Sequence, residues 1–181
     1  MVGRVAIIGA GGMGAWFARF FKSRGDSVVV SDRDRSKARR LATKIQARCS
    51  FNNVEAARGS DVILLAIPTS ATSKVIEEIL PVLRKNALIC EISATKSVVM
   101  PALRHAEKRG VKVASIHPMF GPLAQGIRKS RIIAIRTGKD TRGYKTMKHL
   151  LQGAHFFLTS PDIHDKRVAL TLGLPHFLNM A

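Results

Sequence analysis

Short, wholly apolar runs alternate along this chain with longer stretches in which apolar residues recur every three or four positions. The first pattern marks strands buried on both faces, the second helices with one face on a core. Residues 2–8 form an apolar strand, after which Ala15, Trp16, Phe17, Phe20 and Phe21 recur at helical spacing up to Gly25. Residues 27–30 predict a second strand. Ala38, Leu41, Ala42 and Ile45 mark the inner face of the next helix, with Arg39, Arg40 and Lys44 turned outward. A short strand near Ser50 and Phe51 and a helical turn over 54–57 follow. Residues 61–67 predict a buried strand closing at Pro68, with Thr69 and Ser70 placed to cap a helix.

That helix carries Val75, Ile76, Ile79, Leu80 and Leu83 on one stripe, with Pro81 kinking or restarting it. Residues 87–92 predict another buried strand, 98–109 a helix capped by Ser97 and closed by Gly110, and 111–115 a further strand. A strand over 131–136, a basic amphipathic helix over 141–151 and a strand over 155–159 complete the alternation. The fold class is α/β, a Rossmann-type doubly wound and mostly parallel sheet over residues 1–160. From Ser160-Pro161-Asp162 a last helix begins with apolar residues on most sides: Val168, Leu170, Leu172, Leu174, Phe177 and Leu178. One short helix on a sheet cannot bury all of them. Residues 161–181 are therefore expected to start a helical domain or a subunit interface.

The first strand runs straight into GAGGMG, Gly9 to Gly14, and then into a helix. Strand, G-x-G-x-x-G and helix together form the dinucleotide fingerprint. Gly9 permits the tight turn, Gly11 lets the backbone approach a pyrophosphate, and Gly14 lets helix and strand pack closely. Ala10, Gly12 and Met13 complete the loop. At the end of the second strand stand Ser31, Asp32 and Arg33. Asp32 is placed to accept both ribose hydroxyls of an adenosine, which favours NAD; Arg33 could instead hold the 2′-phosphate of NADP. Asp34 has the position of a helix cap. Ala66, Ile67 and Pro68 border the cofactor's ribose and nicotinamide in such a sheet, as does Ser93 at the next strand end.

Composition adds one complication. Thirty Lys+Arg against twelve Asp+Glu give a formal net charge of +18. The cations are spread over the polar faces of predicted helices, with little aromatic interleaving, so nucleic acid ranks below anion steering as a partner. No apolar run is long enough to span a bilayer, and Cys49 and Cys90 have no metal-ligand spacing. A cytoplasmic, reduced protein without a metal is expected.

Chemistry concentrates at two strand ends. The sequence ISATKS gathers Ser93, Thr95 and Lys96 beyond residues 87–92, a set suited to a carboxylate-bearing ligand. Further on, SIHPMFGP holds His117 between a strand end and a loop punctuated by Pro118 and Gly121. Imidazole is the side chain best placed to share a proton near neutrality.

GAGGMG, ISATKS, SIHPMFGP and the late HD…LPHFLN together resemble the prephenate dehydrogenase family, in that family's order and over essentially the whole chain. The resemblance implies an NAD- or NADP-dependent oxidative decarboxylation of prephenate to 4-hydroxyphenylpyruvate, or of arogenate to tyrosine. It implies that His117 is the catalytic histidine, bonded to the substrate's ring hydroxyl. Asp165 and His176 would line or brace the substrate, with His164 nearby, and the last helix would pair two chains as a homodimer. Three departures stand out. Ala94 replaces a family serine, Leu123 replaces an acidic residue, and the sequence stops at Ala181 before the arginine that grips the ring carboxylate. The expectation is a nucleotide-binding domain with a shortened helical domain. The rival readings are a cofactor-binding interaction module without turnover, and another Rossmann reductase of small metabolites.

Overall fold

The computed structural model describes residues 3–173. Eight strands form one sheet in the order β3-β2-β1-β4-β5-β6-β7-β8. They are β1 (Arg4–Ile8), β2 (Ser27–Ser31), β3 (Arg48–Ser50), β4 (Val62–Leu65), β5 (Leu88–Glu91), β6 (Lys112–Pro118), β7 (Arg131–Ile135) and β8 (His155–Thr159). All neighbours run parallel except β6 and β7. The first six strands have the order of the doubly wound dinucleotide-binding sheet. Its crevice lies beyond the carboxyl ends of β1 and β4, where the winding reverses.

Helices cover both faces because successive strand residues point to opposite sides. Val5 and Ile7 of β1, Val62 and Leu64 of β4 and Leu88 of β5 meet α1 (Gly12–Ser23), α2 (Arg35–Lys44) and α6 (Arg142–Leu150) through Phe17, Phe21, Leu41 and Met147. Ala6, Ile8, Ile63, Leu65 and Ile89 meet α3 (Asn53–Ala57), α4 (Thr69–Ile79) and α5 (Met100–Lys108) through Ile76, Ile79 and Leu103. Such strands have no polar face to show, so they read as continuous apolar runs. The chain then closes with α7 (Pro161–Val168), capped by Ser160, and a π-helical turn over Ala169–Gly173.

Local chemistry corrects several expected boundaries. Asp34 does cap α2, accepting from the Ser36 and Lys37 amides. Thr69 and Ser70 do not cap α4: Pro68 is the N-cap, and the Thr72 hydroxyl turns back to the Pro68 carbonyl. Ser97 does not cap α5, which starts at Met100 after Val99. Pro81 neither kinks α4 nor opens a full helix; it sits in a single 3₁₀ turn, Leu80–Val82. The strand carrying the histidine runs through Pro118 rather than stopping at 115, because antiparallel pairing with β7 extends it and sets His117 opposite Ile133.

Candidate active site

The glycine loop is built by close approach. Gly9 has φ of 105°, and a Cβ there would lie 2.2 Å from the Ala66 carbonyl oxygen of the next strand end. A Cβ on Gly14 would lie 1.8 Å from the Gly9 carbonyl oxygen. Both positions therefore require glycine for packing. Gly11 differs, because a Cβ there would meet nothing within 4 Å. Its backbone faces open space at the N-terminus of α1, which has no side-chain cap and no acidic residue in its first turn. Uncapped N–H groups and the positive end of the helix dipole are what an anionic pyrophosphate needs. The loop fits a dinucleotide.

A cleft of about 320 Å³ opens beside it, lined by Gly9, Gly11, Asp32, Arg33, Ala66, Ile67 and Pro68. Gly9, Gly11, Asp32, Arg33, Ala66, Ile67 and Pro68 thus meet in one place. Ala10 and Gly12 line an adjoining hollow with Gly11, and Met13 is outside the cleft lining. Gly14 and Ser31 are buried behind it, and Ser93 is buried against Thr72. Lys37 and Asn53 also line the cleft and were not anticipated. Asp32 shapes the loop as well as bordering it: its carboxylate accepts the Ala10 amide at 2.7 Å and the Asp34 amide at 2.8 Å. Asn53, in turn, accepts from the Ser31 hydroxyl at 2.9 Å.

The HPMFGP segment folds over the start of α1. Trp16 donates its indole N–H to the Ala124 carbonyl at 2.8 Å, and its ring packs on Phe120 with centroids 4.7 Å apart. Pro122 comes close enough that a Cβ on Gly12 would lie 3.1 Å from its ring. Trp16, which reads as plain core from its spacing, therefore ties the histidine-bearing loop to the glycine loop.

Below His117 lies a fully buried polar cluster. On one face of the sheet, β5 places Glu91 after Ile89, and β6 places Ser115 and His117 after Val113. The Glu91 carboxylate accepts from Lys96 Nζ at 2.8 Å, from the Ser93 amide at 2.7 Å and from the Ser115 hydroxyl. Lys96 Nζ donates also to the Ile116 carbonyl at 2.7 Å. Burial pushes the Lys96 ammonium below the usual lysine range, and the Glu91 charge opposes that shift. The carboxylate that Lys96 holds is the protein's own. Thr95 and Ala94, by contrast, are exposed. Glu91 went unanticipated, although an acidic residue inside a buried apolar run demands a nearby cation, and Lys96 follows five positions on.

From above, α7 brings His164 and Asp165 onto the same cluster. His117 Nδ1 lies 2.9 Å from His164 Nε2, and His164 Nδ1 lies 2.9 Å from Asp165 Oδ1. Asp165 also accepts the Lys96 amide at 2.9 Å and the Ser97 amide at 2.8 Å. Its carboxylate is thus spent on the protein. Partial burial opposes its ionisation, but the His164 and backbone hydrogen bonds outweigh this and hold it down to about 2. His117 is pushed down to about 4, first by burial, then by the Lys96 charge and His164, with Glu91 opposing. It is a neutral imidazole at physiological pH. His176 lies outside the described residues. Beside α7, a trough of about 1020 Å³ is lined by Met119, Ile133, Phe157 and His164 and bordered by Arg131 and Arg167, two cations that the sequence pattern did not single out.

Sheet order, glycine loop and crevice define the class as a Rossmann dinucleotide-binding domain. A sequence profile of the family described as prephenate dehydrogenase, nucleotide-binding domain, matches residues 17–134, which include the HPMFGP loop. The chain belongs to the prephenate dehydrogenase family. It is 32% identical over 178 residues to a probable arogenate/prephenate dehydrogenase of Methanocaldococcus jannaschii, covering 96% of this chain and 40% of that protein. With the T-protein of Haemophilus influenzae it shares 25% identity over 181 residues, covering 98% of this chain and 44% of the relative. The chain therefore spans less than half the length of these two relatives. Among solved structures, prephenate dehydrogenase from A. aeolicus in complex with hydroxyphenyl propionate and NAD+ matches with a TM-score of 0.85 at 17% identity, over 98% of this chain and 67% of that one. The 3-hydroxyisobutyrate dehydrogenase of Mycobacterium tuberculosis also matches, with a TM-score of 0.81 at 17% identity over 96% and 60%. The fold alone does not choose a substrate.

Proposed function

We propose that this chain is the cofactor-binding part of an NAD(P)-dependent dehydrogenase that oxidatively decarboxylates prephenate or arogenate in tyrosine biosynthesis. The observation that carries the reading is the docking of the HPMFGP loop onto the dinucleotide loop through Trp16, Phe120 and Pro122. This docking supports a reading in which the neutral His117, at the head of the loop, would face the nicotinamide end of the crevice. Gly9, Ala10, Gly11, Gly12, Met13 and Gly14 would hold the pyrophosphate, Ser31, Asp32 and Arg33 the adenosine end, and Ala66, Ile67 and Pro68 the nicotinamide half. The bound nicotinamide supplies the hydride acceptor. NAD is the preferred form, since the Asp32 carboxylate borders the space that a 2′-phosphate would enter.

His117 accepts the hydrogen of the substrate's ring hydroxyl, so that oxygen can donate electrons as hydride leaves the same carbon. Departure of the ring carboxylate as carbon dioxide leaves its electron pair in the ring and makes it aromatic. The phenolate oxygen, with an ordinary pKa of about 10, then recovers any proton held by a histidine near 4. The enzyme contributes positioning and one acceptor, while the substrate's aromatisation supplies the driving force. Ser93, Lys96 and Asp165 support this reading from beneath or beside the site, and the exposed Thr95 would meet the substrate from solvent. Lys96 and Asp165 would act through His117 rather than by touching substrate. Residues 161–181 would open the helical domain and carry a homodimer contact; Ile163 and Leu170 already show apolar surface there. Among the described residues no helix is long and apolar enough to cross a membrane.

The test is a titration with NAD and NADP, with and without prephenate or arogenate, read as thermal stability and as nicotinamide absorbance. NAD should raise the melting temperature more than NADP, and the carboxylated cyclohexadienol should reduce it. A chain stabilised by neither dinucleotide contradicts the reading at its base.

A further inference from the structure

The geometry points to Asp165 and His164 as positioning residues that hold His117 in the tautomer with its bare nitrogen at Nε2. This deepens the reading above and rests on His117 being the proton acceptor. With Asp165 ionised, the carboxylate can only accept, so His164 Nδ1, at 2.9 Å, must carry its proton. In a neutral His164 ring, Nε2 is then a lone pair. His117 Nδ1, 2.9 Å from it, must therefore be the N–H, and its Nε2 must be bare. For neutral rings no other assignment of protons satisfies all three groups.

Burial and backbone contacts make the assignment rigid. His164 is only 1% exposed, so water cannot readily replace either partner. Asp165 is fixed by two backbone amides, those of Lys96 and Ser97. The same turn carries Lys96, whose ammonium is bound to Glu91 and to the Ile116 carbonyl, one residue before His117. Among the described residues the charged groups acting on His117 are Lys96 and Glu91, with Asp165 behind His164, and each is anchored by hydrogen bonds of its own. Because His164 and Asp165 lie on α7, the acceptor becomes competent only when the segment after the sheet is docked. The bond partners also keep the lone pair from rotating out of register, the role that a carboxylate plays behind a histidine base generally.

The tautomer can be read without substrate, by two-bond ¹⁵N–¹H correlation of the histidine rings in the whole chain at neutral pH. Signals are assigned by their loss in His117→Asn and His164→Phe. Both His117 and His164 should show protonated Nδ1 and bare Nε2, the reverse of the tautomer that free imidazole side chains favour. Protonated Nε2 on His117, or a doubly protonated His164, overturns the proposal. His164→Phe removes the acceptor and should convert His117 largely to the Nε2–H form, with kcat falling on the order of 10²-fold and KM little changed. His164→Gln, which returns an acceptor oxygen, should recover most of the tautomer and of kcat. A tautomer indifferent to both substitutions refutes the positioning role. The wild-type spectrum stands even if a variant fails to fold. If the spectra are as expected while His117→Asn keeps turnover, the catalytic reading fails and the positioning chain stands.

Discussion

Lys96 Nζ lies 2.8 Å from Glu91 Oε1, and neither side chain has any surface in contact with solvent. This ion pair sits directly beneath the strand that carries His117 and also binds Ser115, the Ser93 amide and the Ile116 carbonyl. A buried pair adds little net stability over an apolar pair, but breaking it strands a charge. Lys96→Met should therefore cost about 3–5 kcal/mol in a denaturant titration. Replacing Glu91 by Gln in that background should recover part of the loss, because the stranded carboxylate is then gone. Additive costs for the two changes would show that the pair is not coupled.

Two glycines of one motif should respond in opposite ways. At Gly14 an added methyl meets the Gly9 carbonyl, so Gly14→Ala must shift backbone and should destabilise by at least about 2 kcal/mol. At Gly11 the methyl meets open space and φ is −70°, so Gly11→Ala should leave stability within about 0.5 kcal/mol of wild type. The same methyl should lower NAD affinity roughly tenfold or more by standing where the pyrophosphate approaches. Thermal melts with and without NAD separate the two effects. An unchanged affinity in Gly11→Ala would place the cofactor elsewhere.

The depressed His117 has a pH signature with a definite sign. An unfolded histidine takes its proton near 6.5, whereas His117 takes one only near about 4. Between those values the unfolded chain binds more protons, so stability falls as pH falls. The contribution is whole above about 6.5 and lost by about 4, and amounts to at most ~3 kcal/mol. Asp165, held to about 2, loses its own contribution only below the usual carboxylate range. Urea titrations from pH 7 to 4 should show a steeper decline for wild type than for His117→Asn. Parallel curves would mean that His117 titrates as an ordinary histidine.

Cofactor preference should hinge on Asp32, whose carboxylate both borders the cleft and orders the loop through the Ala10 and Asp34 amides. Asp32→Ala should weaken NAD binding by about tenfold and leave NADP binding the same or tighter, because Arg33 and Lys37 remain at that end. Calorimetric titration of both dinucleotides measures it. A parallel loss for both would assign Asp32 a purely structural role.

Much of this was legible in the chain because the physics involved is local. Continuous apolar runs such as 62–65 can only be strands covered twice, and a glycine triplet between strand and helix leaves few alternatives. The HPMFGP loop and the HD pair stand out in the sequence as candidates, and the fold joins His117, His164 and Asp165 in one hydrogen-bonded chain. What stayed hidden is pairing across distance. Nothing near Trp16 says that its N–H meets the carbonyl of Ala124, 108 positions away. Lys96 looked like a ligand-binding ammonium because its partner, Glu91, sits inside a run that otherwise reads as core. Asp165 looked substrate-facing for a similar reason, since its partners are backbone amides 68 and 69 positions earlier. Strand and helix ends slipped where such tertiary bonds took over from capping, as at Ser97.

The most direct test is the prephenate-dependent reduction of NAD by this chain, compared between wild type and His117→Asn, with NAD affinity measured on the same samples. We expect turnover in wild type and a loss on the order of 10²- to 10⁴-fold in the variant, with NAD affinity essentially retained. Undiminished turnover in His117→Asn, or a wild-type chain to which NAD does not bind, would contradict it.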